Sequence, residues 1–251
     1  MKPRRIFVLL AFLLLVYLLL TSPDDGDLGI RNWFSLEPTP VPTVCNNFDF
    51  QGLLGGRFSV RMIVALDTND DNIEECIVLY DDPAEQRSPA TGRPVYGMVY
   101  HFQVSGPADA DPRTLPISAM RCYELRTDYG RRVRLGLTTS EVSDFHVLAM
   151  DADTQGRLEL VVLSHGPKRQ LVGLSVFRWR GVDRGYQLVG YVHGDWLKTR
   201  PSPVERYIDE VVVCDRQYPA DANNPDRVTG KVFVWKDGKL ELDPDHSDAN
   251  C

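Results

Sequence analysis

Two stretches of the chain, 84 positions apart, repeat one pattern of strand, acidic loop and strand. Val64-Ala-Leu-Asp-Thr-Asn-Asp-Asp-Asn-Ile-Glu-Glu-Cys-Ile-Val-Leu79 lies over Leu148-Ala-Met-Asp-Ala-Asp-Thr-Gln-Gly-Arg-Leu-Glu-Leu-Val-Val-Leu163 without a gap. Such self-similarity restricts a chain to folds in which one supersecondary unit is stacked on copies of itself. A weaker third copy keeps the strand Glu210-Val-Val-Val-Cys214. Each copy is followed by a strand that ends in an aromatic: Val99-Tyr-His-Phe102, Val176-Phe-Arg-Trp179 and Val232-Phe-Val-Trp235. After the last two comes a tight turn into a further strand.

The rest of the chain past Val44 agrees with an all-β reading. Short runs such as Ser59–Leu66, Cys76–Tyr80, Phe145–Met150, Leu158–Leu163 and Val211–Cys214 are rich in β-branched residues and bounded by Gly, Asp, Asn and Pro. Helical periodicity is almost absent. The pattern predicts a sandwich, a barrel or a propeller.

The acidic loop followed by an apolar strand resembles the FG-GAP and VCBS-type repeats, whose blades carry D-x-D-x-D-G-x-x-E/D, as in calcium-binding propellers. The resemblance covers three partial repeats, near 58–106, 144–191 and 206–242. It implies an incomplete or small β-propeller-like array of antiparallel blades with Ca²⁺ in the loops. The FG-GAP tetrapeptides themselves are missing from the sequence, and three repeats are fewer than the four to eight blades of a closed propeller. The segment from about Pro107 to Val142, with Ala119–Leu125 and Arg132–Leu137, is the candidate source of further strands; a sandwich is the alternative.

Asp67, Asn69, Asp71 and Glu75 stand at positions 1, 3, 5 and 9 of the first loop, which also passes the carbonyl of Ile73. Alternate side chains of a tightly curled loop point to one centre, and hard oxygens suit Ca²⁺. The second loop offers Asp151, Asp153, Gln155 and Glu159, with the carbonyl of Arg157; its Gln155 is neutral where the first loop has Asp71. Position 6 calls for left-handed backbone, supplied by Gly156 and, next best, by Asn72. Val78 and Val162 stand at position 12, where an EF-hand needs Glu. The alternative is an Asp-rich turn that caps itself. The expected ion is structural and weakly held, with a Kd on the order of 10⁻⁴ to 10⁻³ M.

At the N-terminus, fifteen apolar residues from Ile6 to Leu20 follow Met-Lys-Pro-Arg-Arg. That is the charged and apolar layout of an export signal, read as an uncleaved anchor over 1–22; the alternative is a removed signal, which leaves the domain secreted. Lys2, Arg4 and Arg5 before the run and Asp24, Asp25 and Asp27 after it place the bulk of the chain outside the cytoplasm. Glu37-Pro-Thr-Pro-Val-Pro-Thr43 reads as a semi-rigid stalk over 23–44, ahead of a β domain over 45–251. Past the leader, 25 basic side chains face 35 acidic ones. A surface this acidic repels phosphate backbones and argues against nucleic acid. Five cysteines (Cys45, Cys76, Cys122, Cys214 and Cys251) lie beyond the anchor, none in a C-x-x-C pair. Their pairing stays open: Cys45 and Cys251 bracket the domain and invite a clasp, while Cys76 and Cys214 sit in apolar runs that suit buried thiols.

Catalytic motifs are thin. Ser164-His165 are adjacent and point apart in a strand, as do Glu74 and Glu75; there is no G-x-S-x-G elbow and no phosphate-binding glycine loop. His101, His146 and His193 read as core or surface histidines. Trp179, Trp196, Trp235, Tyr186 and Tyr191 read as packing between blades or, alternatively, as a platform for a protein or glycan ligand. The sequence therefore points to a membrane-tethered, non-enzymatic extracytoplasmic binding or scaffolding module with structural Ca²⁺. The competing reading is an anchored or secreted hydrolase with a loop-built site.

Overall fold

The structure is a computed structural model that describes residues 45, 47–85, 92–106, 117–137, 144–166, 169–200, 207–217, 227–246 and 251. The N-terminal helix and the stalk expected over 1–44 lie outside the described residues. Among those described, no helix is long and apolar enough to cross a membrane.

The chain is all-β, with three antiparallel sheets laid down in sequence order. The first is β1 (Ser59–Leu66), β2 (Glu75–Asp81), β3 (Pro94–Val104) and β4 (Ile117–Glu124), with the two-residue β5 (Gly136–Leu137) beside β3. The second is β6 (Asp144–Met150), β7 (Glu159–His165), β8 (Leu171–Trp179) and β9 (Tyr186–His193). The third is β10 (Trp196–Arg200), β11 (Glu210–Gln217), β12 (Arg227–Lys236) and β13 (Lys239–Asp243). Each sheet is an up-and-down meander of neighbours in sequence. Strands β4 and β5 come from the segment before Val142, and the third sheet opens at Trp196, upstream of its recognisable repeat.

Period-two alternation stacks these sheets. In β7, Leu160 and Val162 pack with Ile77, Leu79 and Val99 of the first sheet, whereas Val161 and Leu163 pack with Val211, Val213 and Leu197 of the third. Successive side chains of a strand face opposite ways, so a strand buried on both faces is apolar along its middle, as β7 is from Leu160 to Leu163. Two core clusters join neighbours in the series, one the first and second sheets and the other the second and third, while two more lie on the outer faces of the first and third sheets; none links the first sheet to the third among the described residues. The sheets are not closed into a ring.

The outer face of the first sheet is covered by the chain that enters it. Phe48 and Phe50 pack on Phe102 and Tyr100, with ring centroids 5.3 and 4.9 Å apart. A short helix, Phe50–Leu53, is capped by the Asp49 carboxylate, which accepts from the Gly52 N–H at 3.0 Å. The Cys45–Cys76 disulfide fastens this segment to β2, and Cys214–Cys251 fastens the C-terminus to β11. The end-to-end Cys45–Cys251 clasp is therefore not formed, and Cys76 and Cys214 are not buried thiols. Both are buried residues on the outward faces of their strands, where a passing terminus meets them with Cα atoms 5.8 and 5.9 Å apart. Cys122 keeps a free thiol on the edge strand β4, opposite Tyr100, and burial of that thiol pushes it up to about 11.

Candidate metal centre

The β1–β2 and β6–β7 connections share one hydrogen-bond plan. Asp67 Oδ2 accepts from the Asn72 N–H at 2.9 Å, and Asp151 Oδ2 accepts from the Gly156 N–H at 2.8 Å. The other oxygen of each takes the N–H of position 5, Asp71 at 3.3 Å and Gln155 at 2.9 Å. Position 3 repeats the match: Asn69 Oδ1 accepts from Asp71 at 3.1 Å, and Asp153 Oδ1 from Gln155 at 3.2 Å. Left-handed backbone falls at positions 4 and 6 in both, Asp70 and Asn72 in one (φ 63° and 62°), Thr154 and Gly156 in the other (φ 59° and 73°). Asp and Asn tolerate that region best after Gly because their short side chains bond locally.

Position 9 closes each loop from inside. Glu75 and Glu159 are buried, and each reaches back to the N–H of position 2: Glu75 Oε2 accepts from Thr68 at 2.8 Å, Glu159 Oε2 from Ala152 at 2.9 Å. Glu74 is half-buried while its neighbour Glu75 is fully buried, as strand alternation requires.

The remaining oxygen of each glutamate meets a different partner. Register places His101 opposite Glu75 and Arg178 opposite Glu159. Arg178 Nε donates to Glu159 Oε1 at 2.9 Å, and an Nη of the same guanidinium donates to Asp153 Oδ2. Burial pushes the Glu159 carboxyl up, and Asp153 beside it adds to that; the Ala152 N–H and Arg178 pull the other way. In the first sheet His101 Nδ1 stands 3.5 Å from Glu75 Oε1, and its Nε2 is 2.8 Å from the Tyr186 hydroxyl. Burial lifts Glu75 to about 8 and drops His101 to about 4. Both are therefore uncharged near pH 7. Trp179 stacks on His101 at 4.4 Å and Tyr186 also bonds Thr68, so these aromatics form a packing layer between the first two sheets. Trp235 is half-buried too, its indole N–H donating to the Ile208 carbonyl at 2.6 Å. Tyr191 is exposed.

Among the predicted ligands, Asp151, Asp153 and Glu159 gather, each with an oxygen within 4.8 Å of the others. Gln155 and Arg157 are exposed and bonded to each other, Arg157 donating to Gln155 Oε1 at 2.7 Å. In the first loop Asp67, Asn69 and Asp71 stay together: Asn69 Nδ2 donates to Asp71 Oδ2 at 3.0 Å, and the Ile73 N–H to Asp71 Oδ1 at 2.8 Å. Glu75 turns away from them, inward. The third sheet has Glu210 at the matching register, but it faces Val234 and pairs with Arg200 at 2.9 Å.

Asp151, Asp153 and Glu159 are close enough to hold a metal ion, and the two loops differ in charge balance. The first loop sets Asp67 and Asp71 around neutral Asn69, next to uncharged Glu75 and His101. The second sets three carboxyls against the permanently charged Arg178. Sequence reading missed both His101 and Arg178 as partners of the loops. The signal was present: each immediately precedes the aromatic of its repeat, Phe102 or Trp179, and so meets the ninth loop residue.

The weighed catalytic pair is spent on structure. Ser164 donates its hydroxyl to the Leu135 carbonyl at 2.6 Å, and His165 packs edge-on against His146 at 4.6 Å. Comparison of the chain with protein-family models, with curated proteins and with solved structures returns no match.

Proposed function

We propose that the chain is a membrane-tethered, extracytoplasmic β-repeat module that binds or scaffolds a partner, its propeller-like blades tied by a structural Ca²⁺ in an acidic hairpin. The observation that carries this reading is that the carboxylates converge inside single hairpins, where they fix loop geometry, and not across a cleft from different elements. A catalytic pair of carboxylates needs room between them for a substrate; these are filled with backbone N–H groups. Two disulfides support an oxidising compartment, and the basic leader with its fifteen apolar residues supports a tether. The bound ion would be held by Asp67, Asn69 and Asp71 with the Ile73 carbonyl, and would offset their mutual repulsion.

The test is thermal unfolding of the full-length chain in detergent with 10 mM calcium and with EGTA. For a Kd on the order of 10⁻³ M, mass action adds about 1.4 kcal/mol, a rise of about 3–6 °C at this size. Coincident melting curves would sink the calcium part of the reading.

A further inference from the structure

We propose that the Arg178 guanidinium is the resident cation of the second hairpin, so that this hairpin needs no metal and the chain takes its divalent ion at the first hairpin alone. The inference rests on the reading of these hairpins as cation loops.

The two hairpins have the same backbone plan and a buried glutamate at position 9, so they pose the same electrostatic problem: oxygens crowded at a turn that water cannot fully reach. Burying an uncompensated carboxylate is costly, and a paired one is tolerated only with good hydrogen-bond geometry. Arg178 meets that condition. Its side chain is 5% exposed and bonds both Asp153 and Glu159. The third sheet closes over it: Gly238, at φ 70° in the β12–β13 turn, leaves room where a Cβ would lie 2.7 Å from an Arg178 Nη. A planar fork held on three sides occupies the inward oxygens that a metal would need. At the matching place in the first sheet stands His101, which meets Glu75 and the Tyr186 hydroxyl and not Asp67 or Asp71, so no cationic fork is seated on the first loop's aspartates as Arg178 is on Asp153. The second loop's outer position 7 adds Arg157, a further positive charge next to the site.

The experiment is a titration of the full-length chain with terbium, read by tryptophan-sensitised luminescence and reversed with calcium, on wild type, three single variants and one double variant. Wild type should take one equivalent, weakened at least tenfold by Asp71→Asn and unchanged by Asp151→Asn. Arg178→Gln should gain a second equivalent, lost again when Asp151→Asn is added. If the variant folds only when calcium is supplied, circular dichroism will show it, and that outcome supports the same conclusion. A wild-type equivalent that disappears with Asp151→Asn overturns the proposal, and so does a folded Arg178→Gln that gains nothing. Should Arg178→Gln not fold at all, the response of the wild-type equivalent to Asp151→Asn decides. If wild type takes no ion while Arg178→Gln takes one, the calcium reading of the first hairpin falls and the role of Arg178 stands.

Discussion

The hairpin of residues 67–75 and the hairpin of residues 151–159 have the same turns, the same left-handed positions and the same buried glutamate, yet they balance their charge by different means. One glutamate looks across its strand pair to an imidazole, the other to a guanidinium. A nine-residue motif therefore specifies a backbone, while the residue on the neighbouring strand sets what faces its buried glutamate. The lesson extends to the third sheet, where Glu210 has Val234 on one side and pairs with Arg200 on the other, and no comparable cluster forms among the described residues.

The largest effect that separates the two hairpins is removal of the cross-strand partner. Arg178→Met leaves Asp153 and Glu159 buried together without a cation and should cost about 3–5 kcal/mol. His101→Phe keeps the stack on Trp179 and loses one hydrogen bond to Tyr186, a cost of about 1–2 kcal/mol. Urea unfolding in EGTA measures both, and equal losses would erase the distinction between the sites.

Next in size is the same substitution made twice. Glu159→Gln replaces an acceptor of both Arg178 and the Ala152 N–H with an amide that can accept only through one oxygen, for a loss of about 2–3 kcal/mol. Glu75→Gln should cost under about 1 kcal/mol, because its amide oxygen can still accept from Thr68 while the NH₂ faces His101. Parity between the two variants, in the same unfolding assay, would mean that the cross-strand partner does not distinguish the two glutamates.

The smallest effect is a pH slope. Burial holds Glu75 at about 8, above its ordinary 4.5. Between those values the folded chain keeps a proton that the unfolded chain releases, so stability is lost as pH rises through about 8, by at most ~1.4 kcal/mol per unit. His101 and His165, both dropped to about 4 by burial, act with the opposite sign, losing stability only as pH falls from 6.5 through 4. From pH 6.5 to 8 in EGTA the wild-type unfolding free energy should therefore decline, while that of Glu75→Gln stays level. A decline of the same steepness in the variant would remove Glu75 as its source.

Much of this was legible in the sequence because it depends on local rules. Strand alternation and β-branched runs marked β2, β7 and β11, and the demand for left-handed backbone singled out Asn72 and Gly156 at position 6. The offset of 84 carried over to hydrogen bonds one by one. What the sequence did not disclose depends on pairing across distance. Trp196–Arg200 carries no copy of the acidic loop, so the opening strand of the third sheet went unmarked. Disulfide partners were set by which strand face each terminus crosses. His101 and Arg178 became partners of the loops only through strand register, which loop composition alone does not contain.

The account turns on where a divalent ion goes when both hairpins are offered one. Crystals of the full-length chain grown with calcium and exchanged into terbium would show it as anomalous density. The account predicts one peak, among Asp67, Asn69 and Asp71, with the Arg178 guanidinium still seated on Asp153 and Glu159. A peak between Asp151, Asp153 and Glu159, with Arg178 turned away, would contradict it.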